Sequence, residues 1–184
     1  MVTPTAFVAR LAAARIGSTF NQYAEGERAP LLRRRLVEYL EERVRASVLL
    51  VGEASGYRGA RVSGIPFTSE RQLTGAGPAE ATATIVHAVL QGLGLEDEVL
   101  LWNVVPTHPG SARTNRPPTR DEIAAGLGFA RVLARGRRVV AVGRVAERAL
   151  RTPGVRHPSH GGARSFRDGL VELRDRGDLV PGPA

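Results

Sequence analysis

Short apolar segments alternate with helix-patterned ones along this chain, and that alternation leaves it few architectures. Ser47-Val48-Leu49-Leu50-Val51 is a continuous apolar run of strand length, as expected of a strand buried on both faces in a parallel sheet. Glu98 to Val105 and Arg138 to Val142 read as a second and third strand, and Gly154 to Arg156 as a short fourth. Pro30 to Arg45 is the strongest helix: Pro lies near its first turn, and Leu31, Leu32, Leu36, Val37, Leu40 and Val44 recur near helical spacing. Thr3 to Ile16, Glu80 to Leu93, Arg144 to Leu150 and Gly162 to Arg176 are further helices. Ser69-Glu70-Arg71-Gln72 and Thr119-Arg120-Asp121-Glu122 have the form of capping boxes, the first opening a short helix and the second a longer one to Arg135. Strands alternating with helices predict an α/β protein, a three-layer α/β/α sandwich around a four-stranded parallel sheet.

The 184 residues suit one domain over 1–176, with a flexible C-terminal tail over 177–184. Two long loops interrupt the pattern, glycine-rich from Gly52 to Pro66 and basic and proline-containing from Pro106 to Pro118. No apolar run approaches the ~20 residues of a membrane span, and the N-terminus lacks the apolar stretch and cleavage site of a signal peptide. A cytoplasmic protein without membrane contact is expected. Cysteine is absent, which excludes disulfides, thiolate catalysis and cysteine-bound zinc or iron–sulfur sites. The net charge is +8, and all 26 basic residues are arginine. Clusters at Arg33-Arg34-Arg35, Arg58 and Arg61, Arg113 to Arg120 and Arg135 to Arg138 make a field that attracts polyanions, although solvated basic faces are common.

Four patches follow strand ends: Gly52-Glu53-Ala54-Ser55-Gly56, Pro66-Phe67-Thr68, Asn103 and His157-Pro158-Ser159. Ligands of open α/β sheets bind outside the carboxyl ends of the strands, so one pocket could gather a carboxylate, an aromatic ring, an amide and an imidazole. Each residue also has a plainer reading. The glycine-rich turn could be a generic strand–helix loop, and its spacing does not give the dinucleotide-binding pattern. Phe67 could be core, and Asn103 a turn residue. His157 and His160 could pair on a metal, but further ligands are not evident. His87 reads as structural and His108 as a surface residue.

The order and spacing of these patches resemble the uracil-DNA glycosylase superfamily from Ser47 to Leu170. Gly52 to Gly56 is similar to its first signature loop in the broader Gly-Glu-Ala-x-Gly form, without the iron–sulfur cysteines. Ser55 stands where proline is usual, and Ala54 where strict uracil enzymes carry their water-activating aspartate. His157-Pro158-Ser159-His160-Gly161-Gly162 resembles the second signature loop, and Asn115 to Thr119 matches the pattern after the asparagine. The resemblance implies that Phe67 stacks on a flipped base and that Asn103 matches the O4 and N3–H edge of uracil, while Gly56 completes the base pocket. It further implies that His157 stabilises the departing base anion. A carboxylate, Glu53 or Glu70, would position the water. Glu70 is electrostatically favoured in a helix first turn whatever its role. Ser55, Arg58, Arg61, Ser159, His160 and Arg164 are the expected DNA contacts.

The implied protein is a monomeric, nucleoid-associated DNA glycosylase of base excision repair that excises uracil and leaves an abasic site, with no metal or organic cofactor. Strict enzymes carry a tyrosine at the place of Gly56 that blocks the 5-methyl of thymine, so its absence implies a range that includes 5-substituted or deaminated bases. The rival readings are a non-catalytic DNA- or nucleotide-binding protein on the same fold and, more distantly, a small-molecule α/β hydrolase.

Overall fold

The computed structural model describes residues 2–179. Its strands are β1 (Val48–Ala54), β2 (Val99–Val105), β3 (Gly110–Ser111), β4 (Thr114–Asn115), β5 (Arg138–Val142) and β6 (Gly154–Val155). Its helices are α1 (Pro4–Ala13), α2 (Ala29–Glu42), α3 (Ala60–Ser63), α4 (Glu70–Thr74), α5 (Ala81–Leu93), α6 (Arg120–Leu133), α7 (Arg144–Leu150) and α8 (Ala163–Asp175). Four strands form one parallel sheet in the order β2-β1-β5-β6, flanked by helices in three layers. Val48 to Val51 are wholly buried, which is why they could be apolar without alternation.

The chain leaves β1 toward β2, then crosses back over β1 to reach β5 and β6. Right-handed crossovers in opposite directions must lie on opposite faces. Accordingly α6 and α7 pack together and touch β2, β1 and β5, whereas α5 packs with α8. Gly126 lets α6 approach closely: a Cβ there would stand 2.3 Å from the Val104 carbonyl oxygen of β2. Strand alternation sends Trp102 toward α1, where Phe7 meets its ring edge-on at 5.5 Å, and turns Asn103 the other way. At β2 the Tyr39 hydroxyl of α2 accepts the Leu101 N–H at 2.7 Å.

Both capping boxes form. Ser69 N–H donates to Gln72 Oε1 at 2.8 Å, and Thr119 N–H donates to Glu122 Oε2 at 2.8 Å while Glu122 N–H returns to Thr119 Oγ1. The long loops are more structured than expected. β1 continues to Ala54 because its ladder with β2 extends to Val105, α3 forms inside the glycine-rich segment, and the β3–β4 hairpin folds the 106–118 loop. The expected tail is also corrected over its first residues: Leu179 is fully buried in the core and Asp178 pairs with Arg138. Residues 180–184 of that tail, and Met1, lie outside the described residues. Among the described residues no helix is long and apolar enough to cross a membrane.

Candidate active site

The carboxyl ends of β1 and β2 and the loop after β6 enclose a cavity of about 370 Å³, within the range of small-molecule sites. Glu53, Gly56, Phe67, Asn103, His157 and Glu80 all line it, as do Ser159 and His160. Residues up to 107 positions apart in sequence, Glu53 and His160, thus share one wall system.

Gly52 is the pivot. It pairs with Asn103 in the β1–β2 ladder, and a Cβ on it would stand 2.3 Å from Phe67 Cζ and 3.0 Å from Asn103 Oδ1. Only a bare Cα leaves room for ring and amide to meet over the strand end. Phe67 is held there at φ +52°, a left-handed conformation that costs a bulky residue about 1 kcal/mol or more. Its neighbours over-determine it. Ser63 Oγ donates to the Thr68 carbonyl at 2.7 Å and accepts the Ile65 N–H at 3.1 Å, and Thr68 Oγ1 lies 3.1 Å from His87 Nε2. His87 is therefore the structural support that its helical position suggested.

The Asn103 carboxamide makes no hydrogen bond among the described residues, although the residue is only 4% exposed. Buried amides are ordinarily satisfied. This one keeps its donor and acceptor for whatever enters the cavity. Glu53 is half-buried on the same wall, and desolvation pushes its carboxyl above the usual carboxylate range.

The geometry of His157 fixes its tautomer. Ser159 N–H, which can only donate, points at Nδ1 at 3.2 Å, and Ser159 Oγ lies 2.8 Å from the same nitrogen. Nδ1 is therefore an acceptor, and the neutral ring carries its proton on Nε2, which has no partner among the described residues. Burial, then the neighbouring His160 and Arg156, hold the imidazole below its usual pKa and so keep it neutral. His157 is a neutral donor facing the cavity.

Several expectations are corrected. Glu70 does not line the cavity: Arg28 Nη2 at 2.7 Å and Arg35 Nη1 at 2.8 Å bind its carboxylate. Burial alone would raise the Glu70 carboxyl, but those two guanidinium groups outweigh it and hold it below the usual range. Of the two candidate carboxylates only Glu53 is in the site. Ser55 borders the cavity, yet its hydroxyl is turned inward, donating to the Pro106 carbonyl at 2.7 Å, and is not free to grip a phosphate. Arg61 lies over the Phe20 ring at 4.7 Å beside a separate, smaller cavity. Arg58 is exposed against Tyr57, and Arg164 is exposed on α8 near Asp168; neither lines the main cavity. His108 is wholly buried rather than on the surface, with Nδ1 2.7 Å from the Ser55 carbonyl and Nε2 2.8 Å from the Ser111 carbonyl. It joins the first loop to the β3–β4 hairpin. Asn115 does the same by accepting the Tyr57 N–H at 3.0 Å.

The space beside Gly56, expected to be open, is filled. Glu80, at the N-cap of α5, turns its carboxyl into it, and burial pushes that carboxyl above the usual range. No sequence signal identified Glu80, because an acidic residue just before a helix has an ordinary electrostatic reason to be there. Among the described residues no three His, Asp or Glu side chains gather as a metal site needs.

The model of the uracil DNA glycosylase superfamily matches residues 40–180, a span that holds every cavity-lining residue named above. The chain belongs to the uracil DNA glycosylase superfamily. The fold agrees: the crystal structure of wild-type SMUG2 from Pedobacter heparinus superimposes with a TM-score of 0.70 over 97% of this chain and 99% of that one. At 13% identity that likeness speaks for the fold alone. No curated protein matches the chain. Superfamily membership therefore rests on the sequence match, and the architecture on both.

Proposed function

We propose that this protein is a DNA glycosylase that extrudes uracil from DNA and hydrolyses its N-glycosidic bond, leaving free base and an abasic site. The observation that carries the reading is the convergence, in one cavity, of an unpaired Asn103 carboxamide, the Phe67 ring and a neutral His157 with its Nε2–H free. Extruding a nucleotide costs a few kcal/mol, which the basic surface and the cavity contacts offset. Phe67 stacks on the base. Asn103 accepts from N3–H and donates to O4, a pattern that cytosine does not match.

As the C1′–N1 bond breaks, its electron pair passes to the base, and His157 Nε2–H stabilises the negative charge at O2. Water adds to C1′ of the oxocarbenium-like sugar, and its proton passes to Glu53 or solvent. A histidine in this tautomer suits the role, because its Nε2–H is free to donate to the anion while Nδ1 accepts the Ser159 N–H. Ser159 and His160 line the cavity as contacts for the strand that carries the base, and Arg58 and Arg164 are exposed cations for the backbone. The reading takes DNA as the partner of a monomeric, nucleoid-associated cytoplasmic enzyme.

Incubation with uracil-containing single-stranded DNA followed by alkali tests it. The wild-type protein should leave cleavable abasic sites. Asn103→Ala and His157→Ala should each slow single-turnover excision by roughly a hundredfold or more, with binding to undamaged DNA unchanged. Salt-dependent DNA binding without any cleavable sites would instead favour a non-catalytic binder. Full activity in Asn103→Ala would remove the base assignment.

A further inference from the structure

The Glu80 carboxyl occupies the volume that side chains on two glycines would fill. A Cβ on Gly56 would stand 2.1 Å from Oε1, and a Cβ on Gly59 would stand 2.1 Å from Oε2. One oxygen therefore lies against each glycine, in a slot that exists only because both lack side chains. The carboxyl makes no hydrogen bond or ion pair among the described residues, unlike Glu70 and Glu122, which are bound by arginines. Neither of its oxygens is sealed from solvent, and the residue lines the cavity that holds Phe67 and Asn103. Nor does it cap its helix: its side chain accepts no N–H from α5. Enclosing an unpaired carboxyl costs free energy and returns none through a partner. Its position makes sense only toward the cavity.

We infer that Glu80 is a specificity-determining residue of the base pocket, supplying the wall beside Gly56 that limits what the bound pyrimidine carries on its C5 edge. The inference rests on the glycosylase reading. With Phe67 on the face of the base, Asn103 on its N3–O4 edge and His157 at O2, the remaining in-plane edge is C5–C6. The remaining wall includes Gly56 and the carboxyl packed on it. A small C5–H fits against that carboxyl, and a 5-methyl group collides with it. Burial pushes the carboxyl's pKa upward, in keeping with an acid held in this slot without a partner.

Single-turnover excision of uracil and of thymine from otherwise identical single-stranded oligonucleotides gives a thymine-to-uracil rate ratio. Glu80→Ala, which empties the slot, should raise that ratio by about 10- to 100-fold, the worth of one methyl group in a fitted pocket. Glu80→Gln keeps the shape and should retain the wild-type ratio. Loss of an unpaired carboxyl should not lower the melting temperature, and should Glu80→Ala fail to fold, Glu80→Ser carries the same expectation. An unchanged ratio in the emptied-slot variant, with uracil still excised by the wild type, overturns the inference and leaves the glycosylase reading standing. A wild type that excises neither base overturns both.

Discussion

Replacing Gly52 by Ala should disable the site while leaving the fold standing. The new Cβ would lie 2.3 Å from Phe67 Cζ, 2.8 Å from Cε2 and 3.0 Å from Asn103 Oδ1. Carbon atoms rest about 3.5–4.0 Å apart, so the ring must retreat by roughly 1 Å or more. Its backbone cannot absorb the shift, because Phe67 is already at φ +52° between Ser63 and Thr68 contacts. Phe67 is 7% exposed, packed on the core and lines the cavity, so the ring has room to move toward the cavity. Overpacking of this kind costs about 1–3 kcal/mol, offset by roughly 0.5–1 kcal/mol because alanine suits a strand better than glycine. For a chain of this length the net cost of about 0–2.5 kcal/mol is a fall of roughly 0–10 °C in melting temperature. The site suffers more, since a displacement of about 1 Å in a reacting geometry can cost on the order of a hundredfold in rate. Gly52→Ala should therefore melt cooperatively a few degrees low, bind undamaged DNA as the wild type does, and excise uracil about a hundredfold more slowly. Single-turnover excision and a thermal melt on one preparation check both halves. Wild-type excision by Gly52→Ala would refute the claim that ring and amide meet over a bare Cα.

Two further perturbations probe the frame around the site. Glu122 accepts from Arg116, Ser18 and Thr119, and the Arg116 guanidinium first, with the backbone N–H groups behind it, holds its carboxyl down at about 2. A depressed carboxylate stabilises the fold above its unfolded pKa near 4.5 and loses that contribution as pH falls toward 2. Urea midpoints should thus show Glu122→Gln weaker than the wild type by on the order of 2–3 kcal/mol at pH 7, with the gap closing between pH 4.5 and 2; a gap that stays constant with pH would sink the assignment. Gly92 and Gly128 are exposed inside α5 and α6 with open space where a Cβ would go, so Gly92→Ala and Gly128→Ala should each stabilise by about 0.5–1 kcal/mol. A melting temperature that falls in either variant would show that the space is not open.

The sequence by itself determined the layers and the starts of helices. Val48 to Val51 could only be a doubly buried strand, and Ser69 and Thr119 carry their capping partners three residues on, within a single turn. It also marked Gly52, Phe67, Asn103 and His157, through an order and spacing that resemble the superfamily's signature patches at and beyond the strand ends. The choice between two carboxylates was beyond it. Glu70 is neutralised by Arg28 and Arg35, 42 and 35 positions away, and nothing in its own helix encodes that meeting. The same holds for His108, buried between the first loop and the hairpin, for Arg61 lying on Phe20, and for Leu179 docking into the core. Glu80 is the clearest case. Locally it is an acidic residue before a helix; only the packing of that helix end against Gly56 and Gly59 turns its carboxyl into the cavity. Local patterns report which face of an element is buried and where its backbone bonds begin. Which charged side chain meets which cavity is set by contacts between distant segments, and those exist only once the sheet has closed.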